Sequence, residues 1–168
     1  MTLTLRYEPL QSHHLKALAE VLMSPAVYQH IGGEVPPLHQ FTLGLERAIA
    51  GPPAHCQDQR WLNYLVRSES GAILGRLEAT IHHQIAEVAF LLSPDYWGRG
   101  IGTRALTWLH DEIYRVSGVR EYWATTVHDN LRCQHLLTRC GYQGCAVPTH
   151  PLLSYDEGDL VFRYIMAV

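Results

Sequence analysis

The sequence predicts a single α/β domain over residues 1–168, and three observations predict it. The length of 168 residues suits one domain and suffices to bury roughly 68–70% of the unfolded surface, so no disulfide or metal staple is needed. Apolar residues make up 47% of the chain and charged residues 17%, a globular composition that excludes long disorder. The hydrophobic period changes along the chain: helical spacing dominates the first third, alternating strands the middle, and a strand–helix–strand–helix order the second half.

The elements follow in order. Residues 1–9 alternate threonine and leucine and read as a strand. Ser12 is placed to cap a helix whose Leu15, Leu18, Ala19 and Leu22 obey i, i+3, i+4, i+7 spacing. Ser24-Pro25 opens a short helix that Gly32-Gly33 stops. Leu38, Phe41, Leu45 and Ala48 mark another, closed by Gly51-Pro52-Pro53. Residues 60–67, 72–82 and 86–92 are three strands joined by Glu69-Ser70-Gly71 and a His82-His83-Gln84 corner. Connections this short make them antiparallel neighbours. Ser93-Pro94-Asp95-Tyr96 breaks the third strand. A helix over 100–117 then buries Ile101, Ala105, Trp108 or Leu109, and Ile113, and ends at Gly118. Residues 121–128 form a strand, 130–140 a helix stopped by Gly141, and 142–147 and 160–167 the last strands, flanking a His150-Pro151 loop.

Composition narrows the function. Thirteen Lys and Arg, among them the single lysine Lys16, oppose sixteen acids for a net charge of −3, which argues against a nucleic-acid partner. No apolar run reaches the ~18 residues of a membrane span, and MTLTLRYEPL lacks a signal peptide's basic and apolar regions, so no membrane partner is expected. Cys56, Cys133, Cys140 and Cys145 form no CxxC pair and read as the reduced thiols of a cytoplasmic protein. The adjacent pairs His13-His14 and His82-His83 should have diverging side chains, and Cys140 and Cys145 lack a second ligand pair, so no metal site is expected.

The segment Tyr96-Trp97-Gly98-Arg99-Gly100-Ile101-Gly102-Thr103-Arg104-Ala105 carries the strongest chemical signal. Gly98, Gly100 and Gly102 alternate where a strand ends and a helix begins. A chain without side chains there turns tightly and brings backbone N–H groups and the helix N-terminus against phosphate oxygens. Arg99 and Arg104 stand beside the turn and can add charge. Gly100 to Ala105 also satisfies a GxGxxA dinucleotide fingerprint, with Glu121 near its acidic position. That fingerprint belongs directly after a strand in a first βαβ unit, and here antiparallel strands precede it. A nicotinamide or flavin oxidoreductase is therefore the remote alternative.

Two spaced motifs resemble the GNAT superfamily of acetyl-coenzyme A-dependent N-acetyltransferases. Trp97-Gly98-Arg99-Gly100-Ile101-Gly102 is similar to its Gln/Arg-x-x-Gly-x-Gly/Ala turn, with tryptophan in the first place. Asn130-Leu131-Arg132-Cys133 with Gly141-Tyr142 is similar to its Asn-x-x-Ser/Ala and Gly-Phe pair. The run from Ala86 to Gly98 resembles the branch of ribosomal-protein N-terminal acetyltransferases. The resemblance covers the whole chain. It implies a mixed, mostly antiparallel central sheet with helices on both faces and a splayed strand pair forming a cofactor slot. It further implies that Phe90, Leu91 and Leu92 pair with pantetheine amides, that Gly98, Arg99, Gly100, Ile101, Gly102 and Thr103 cradle the pyrophosphate, and that Asn130 bonds the pantetheine arm. The Leu92 backbone N–H is the implied oxyanion donor. The implied reaction is direct attack of a neutral primary amine on the thioester of acetyl-coenzyme A, with no metal. The acceptor is a protein N-terminal α-amine or a small-molecule amine, and a homodimer is left open. A non-catalytic acyl-coenzyme A-binding module is the alternative.

The chain departs from the superfamily at the proton donor. Leu137 stands where many members carry tyrosine, and Cys133 stands where the branch has serine. Cys133 can donate a proton, or it can pack with Leu136, Leu137 and Cys140 in one apolar stripe, the reading favoured here. For the base, Glu87 opens the strand beside the slot and is the first candidate; Glu78 and His128 follow.

Overall fold

The structure is a computed structural model describing residues 2–29, 31 and 33–167. In chain order the elements are β1 (Leu5–Pro9), α1 (Leu15–Leu22), α2 (Pro25–Tyr28), α3 (Leu38–Ala50), β2 (Arg60–Ser68), β3 (Ile73–His82), β4 (Ile85–Leu92), α4 (Ile101–Ser117), β5 (Glu121–Thr126), α5 (Leu131–Arg139), β6 (Gln143–Cys145) and β7 (Leu160–Ile165). The strands form one sheet in the order β1-β2-β3-β4-β5-β7-β6. All pairings are antiparallel except β4–β5, which is parallel.

Local chemistry sets several boundaries. Ser24 caps α2 by accepting from the Val27 N–H at 3.4 Å, with Pro25 at the first helical position. Ser12 does not cap α1. It lies inside a 3₁₀ turn, where the Gln11 N–H donates to His14 Nδ1 at 3.0 Å, so the imidazole takes the capping role. Helix α2 ends after one turn at Tyr28, and Gly32 of its expected stop lies outside the described residues. Gly118, at φ +75°, terminates α4 in the left-handed conformation. Strand β5 ends at Thr126, two residues early, because the Asn130 N–H bonds back to the Val127 carbonyl at 3.1 Å and turns the chain into α5. Strand β6 keeps only three exposed residues of the six expected, since it lies at the sheet edge with one neighbour.

Helices cover both faces. On one face α4 and α5 bury Ile101, Ala105, Leu106, Leu109, Ile113 and Leu137 against Val66, Leu77, Ala86, Val88 and Tyr122. Within α4, Leu109 is fully buried and Trp108 stacks on Tyr7 at 4.2 Å. The opposite face has two separate covers. Helices α1 and α3 pack on Leu65, with Ile73 and Leu91 beside them. At the other end Leu152 and Tyr155, from the loop between β6 and β7, pack on Ile85, Trp123 and Val161. A strip of sheet stays open between them.

Candidate active site

The parallel pairing of β4 and β5 stops almost at once. Ala86 pairs with Tyr122 and Glu87 with Trp123, while β4 runs on to Leu92. Beyond Glu87 the two strands splay and leave a slot, lined by Phe90, Leu91 and Leu92, by Ala26 and Val27 of α2, and by Trp97, Asn130, Arg132, Cys133 and Leu136. Ladder alternation decides which amides face it. The Ser93 N–H donates to the Leu74 carbonyl at 2.7 Å. Leu91, opposite Arg76, is therefore a hydrogen-bonded pair with β3, and Phe90 and Leu92 turn their N–H groups toward the slot. The amide of Leu91 is thus committed to β3, and the expectation that it pairs with a pantetheine amide fails; Leu91 lines the slot without its N–H. The Leu92 carbonyl is taken by Trp97 Nε1–H at 3.1 Å.

At the outer end of the slot lies the glycine turn. Gly98 and Gly100 both adopt φ +75°, and a Cβ at either would meet nothing within 4 Å. They are there for left-handed backbone. Gly102 does a different job: a Cβ there would collide with Leu136 Cδ1 and approach Leu92 Cδ1 at 3.3 Å, so its absence lets α4 start against α5. The first N–H groups of α4 have no intrahelical acceptor and open onto a cradle lined by Gly98, Gly100, Ile101, Gly102 and Thr103. Thr103 Oγ1 is buried there without a hydrogen-bond partner among the described residues. Unfilled amide donors and an orphaned hydroxyl fit a phosphate group.

The cations at the cradle differ from those expected. Arg99 stands over the Tyr96 ring at 5.4 Å, and Arg104 Nη1 reaches back to the Leu3 carbonyl at 2.6 Å. The arginines lining the cradle are Arg132 and Arg139 of α5. They sit seven residues apart, two turns along one helix face, a spacing visible in the sequence. Arg132 lies 3.6 Å above the Trp97 ring and borders both slot and cradle. Asn130 lines the slot, with its Oδ1 accepting the Cys133 N–H at 3.1 Å as the α5 cap; its Nδ2 remains for a ligand. Cys133 also lines the slot. Burial pushes its thiol up, against the lowering effect of the Thr126 hydroxyl, which makes it a weaker acid.

The open strip of the other face exposes Ala89 in mid-sheet, directly opposite Glu78 on β3. Glu78 and Glu87, with Thr80, Ala89, Leu153 and Ser154, border a cavity there. Arg76 Nη2 holds Glu78 Oε2 at 2.6 Å and Asn63 Oδ1 at 2.8 Å. Glu87 is 5% exposed. Its Oε1 accepts from the Ser154 N–H at 2.8 Å and the Ser154 hydroxyl at 2.6 Å; its Oε2 accepts from the Leu153 N–H at 2.7 Å and faces His82 Nε2 at 2.5 Å. Burial alone would raise this carboxyl, but the Ser154 hydroxyl and amide, the Leu153 amide and His82 outweigh it and hold it below its usual range. The reading of His82 and His83 as diverging side chains fails. His83 and Gln84 adopt φ +48° and +64° in the two-residue hairpin turn, which folds His83 Nδ1 back to 2.7 Å from His82 Nδ1. Two non-glycine residues at positive φ are uncommon in such a turn.

A family model described as an acetyltransferase (GNAT) domain matches residues 3–143. A search of curated proteins finds no match. Solved structures are similar in fold throughout. One is an acetyl transferase of Salmonella typhimurium that modifies the N-terminal serine of a ribosomal subunit protein, at 17% identity and TM-score 0.78, covering 98% of this chain and 96% of that one. A second is RimL, a ribosomal α-N-protein acetyltransferase, with coenzyme A in disulfide linkage to a cysteine, at 19% identity and TM-score 0.76, covering 97% and 94%. A third is spermidine N-acetyltransferase of Vibrio cholerae with coenzyme A and spermine, at 15% identity and TM-score 0.70, covering 97% and 95%.

Proposed function

The chain belongs to the GNAT acetyltransferase family, and from that premise we propose that it transfers the acetyl group of acetyl-coenzyme A to a primary amine, in the first place the α-amine of a protein N-terminus. One observation carries this reading: the slot beside β4 shares Leu92, Trp97, Arg132 and Leu136 with a phosphate-suited cradle at its outer end, and Ala89, the neighbour of the slot residue Phe90 on β4, borders an acid-bearing cleft on the other face. The pyrophosphate rests on the amides of Gly98–Thr103, with Arg132 and Arg139 supplying charge. The pantetheine arm runs inward, bonded by the Leu92 N–H and Asn130 Nδ2. The thioester lies deeper than the arm, beside Phe90, whose N–H faces the slot farther from the cradle. We therefore assign oxyanion stabilisation to Phe90 and give Leu92 the arm.

The amine reaches the carbonyl carbon from the Ala89 side. Its neutral nitrogen forms the C–N bond, the C–S bond of the tetrahedral intermediate breaks, and coenzyme A leaves as a thiolate that takes up, through water, the proton the nitrogen sheds. The thiol's own acidity makes a strong proton donor unnecessary, and Cys133 packs. The cleft presents one open carboxylate, Glu78, already paired with Arg76. That suits a monocationic amine better than a polyamine, whose several ammonium groups call for several acids. Four free cysteines suit a reducing, cytoplasmic setting.

The test is acetyl-coenzyme A with peptides bearing free N-terminal serine, alanine or methionine, and with spermidine, reading coenzyme A release and acetylated product by mass spectrometry. Peptide acetylation is the expected result. Cofactor binding without turnover on any amine would favour the non-catalytic binding module and refute the reading.

A further inference from the structure

We infer that Glu87 is a positioning residue that anchors the loop forming one wall of the acceptor cleft, and that Glu78 is the carboxylate that meets the acceptor ammonium. The inference rests on the proposed acetylation of an amine and divides the work of the two acids that sequence alone leaves in competition.

A carboxylate offers about four lone-pair sites. Those of Glu87 are filled by the Ser154 amide, the Ser154 hydroxyl, the Leu153 amide and His82. No site remains to take a proton from an incoming ammonium, and each of these donors favours the ionised form. What the four bonds do is mechanical. Residues 146–159 contain no strand or helix, and Glu87 grips Leu153 and Ser154 where this loop crosses β4. Thr125 Oγ1, donating to the Ser154 carbonyl at 3.0 Å, grips the same point from β5.

His82 and His83 complete the anchor. An ionised carboxylate only accepts, so His82 carries its hydrogen on Nε2. With His82 neutral, its Nδ1 accepts and His83 Nδ1–H donates. The left-handed turn at His83-Gln84 supplies that donor, giving a strained turn with no glycine a purpose: it fixes the ring that fixes the carboxylate. Glu78 has the opposite character. Its side chain is 43% exposed, Arg76 holds Oε2 and leaves Oε1 without a bond to Arg76, and the residue borders the cleft beside Ala89.

The experiment compares Glu87→Gln, Ser154→Ala and Glu78→Gln by steady-state kinetics and by amide hydrogen exchange. The acceptor probe is a peptide with a free N-terminal serine. Glu87→Gln and Ser154→Ala should speed exchange at Leu153 and Ser154. They should also raise the peptide KM by about tenfold while kcat at saturating peptide and the KM for acetyl-coenzyme A hold. Glu78→Gln should leave loop exchange and the KM for acetyl-coenzyme A unchanged and lower kcat for the peptide by about 10²-fold. Ser154→Ala removes one surface donor and keeps the test open if Glu87→Gln does not fold. A fall in kcat of about 10²-fold in Glu87→Gln with an unchanged peptide KM would overturn the division. So would unaltered loop exchange in both anchor variants. If wild type binds acetyl-coenzyme A yet acetylates no amine, the proposed function fails, and the exchange result still decides for or against the anchor.

Discussion

Acid should destabilise this protein through His110, and His110→Phe should remove that sensitivity. His110 lies in the core at 4% exposure, stacked on the Tyr122 ring at 4.6 Å with Nε2 2.6 Å from the Tyr142 hydroxyl. Burial drives its pKa from 6.5 down to about 4. The folded chain therefore holds a neutral ring where the unfolded chain takes a proton. This contribution to stability is intact above pH 6.5 and is lost as pH falls toward 4. At pH 5 the unfolded state has gained about 2 kcal/mol from this one group. Phenylalanine keeps the stacking but strips Tyr142 of its partner, which costs about 1–3 kcal/mol at neutral pH. Urea unfolding of both proteins at pH 7.5 and pH 5 measures the two effects. His14, also held low by burial, titrates in both proteins and cancels in the difference. Wild type should lose about 2 kcal/mol more than the variant on acidification. Equal losses would refute the claim that burial of His110 is the acid-sensitive step.

Three further outcomes follow from the site. Gly102→Ala should cut acetyl-coenzyme A affinity, measured by calorimetry, and lower stability in urea by no more than about 2 kcal/mol. A Cβ there displaces Leu136, which lines the slot, and a helix-propensity gain of about 1 kcal/mol offsets overpacking of about 1–3 kcal/mol. Arg132→Gln and Arg139→Gln should each weaken acetyl-coenzyme A binding and flatten its salt dependence, and Arg139→Gln, which lies off the slot, should leave binding of acetyl-pantetheine, which lacks phosphate, unchanged. Cys133→Ala should cost about 1 kcal/mol of stability with little change in turnover. A fall in turnover above tenfold for Cys133→Ala, restored by serine, would make the thiol a proton donor.

What was legible in the sequence is what local chemistry fixes. The glycine turn needs left-handed backbone within three residues, Asn130 caps the helix that follows it, and β2, β3 and β4 are joined by connections too short for anything but antiparallel pairing. Arg132 and Arg139 are not legible in this way, because proximity to the glycines along the chain singles out Arg99 and Arg104 instead. Distance along the chain is a poor guide to a cradle assembled from the start of α4 and one face of α5. The acids were separable only in three dimensions. Glu87 and Ser154 are 67 positions apart, and nothing in the sequence near Glu87 marks it as the partner of a loop between the last two strands. Likewise, the rule that neighbouring side chains on a strand diverge fails at His82-His83 because the strand ends there, and two positive φ values turn the second ring back on the first.

The proposed reaction makes two demands in perpendicular directions, and one strand meets both. A carbonyl is polarised by donors in its own plane, along the C=O direction, and attacked from above or below that plane. In β4 the backbone amides point sideways within the sheet, and the splay from β5 leaves those of Phe90 and Leu92 without a strand to bond. Side chains point perpendicular to the sheet, and at Ala89 the side chain is a methyl group with no cover over it. The oxyanion donor therefore lies in the sheet plane while the amine arrives across it. Any larger side chain at residue 89 would stand in that path, and full pairing of β4 with β5 would leave no donor. The interrupted pairing and the small mid-sheet residue, each a defect by the standards of a stable sheet, are the two features that the chemistry requires.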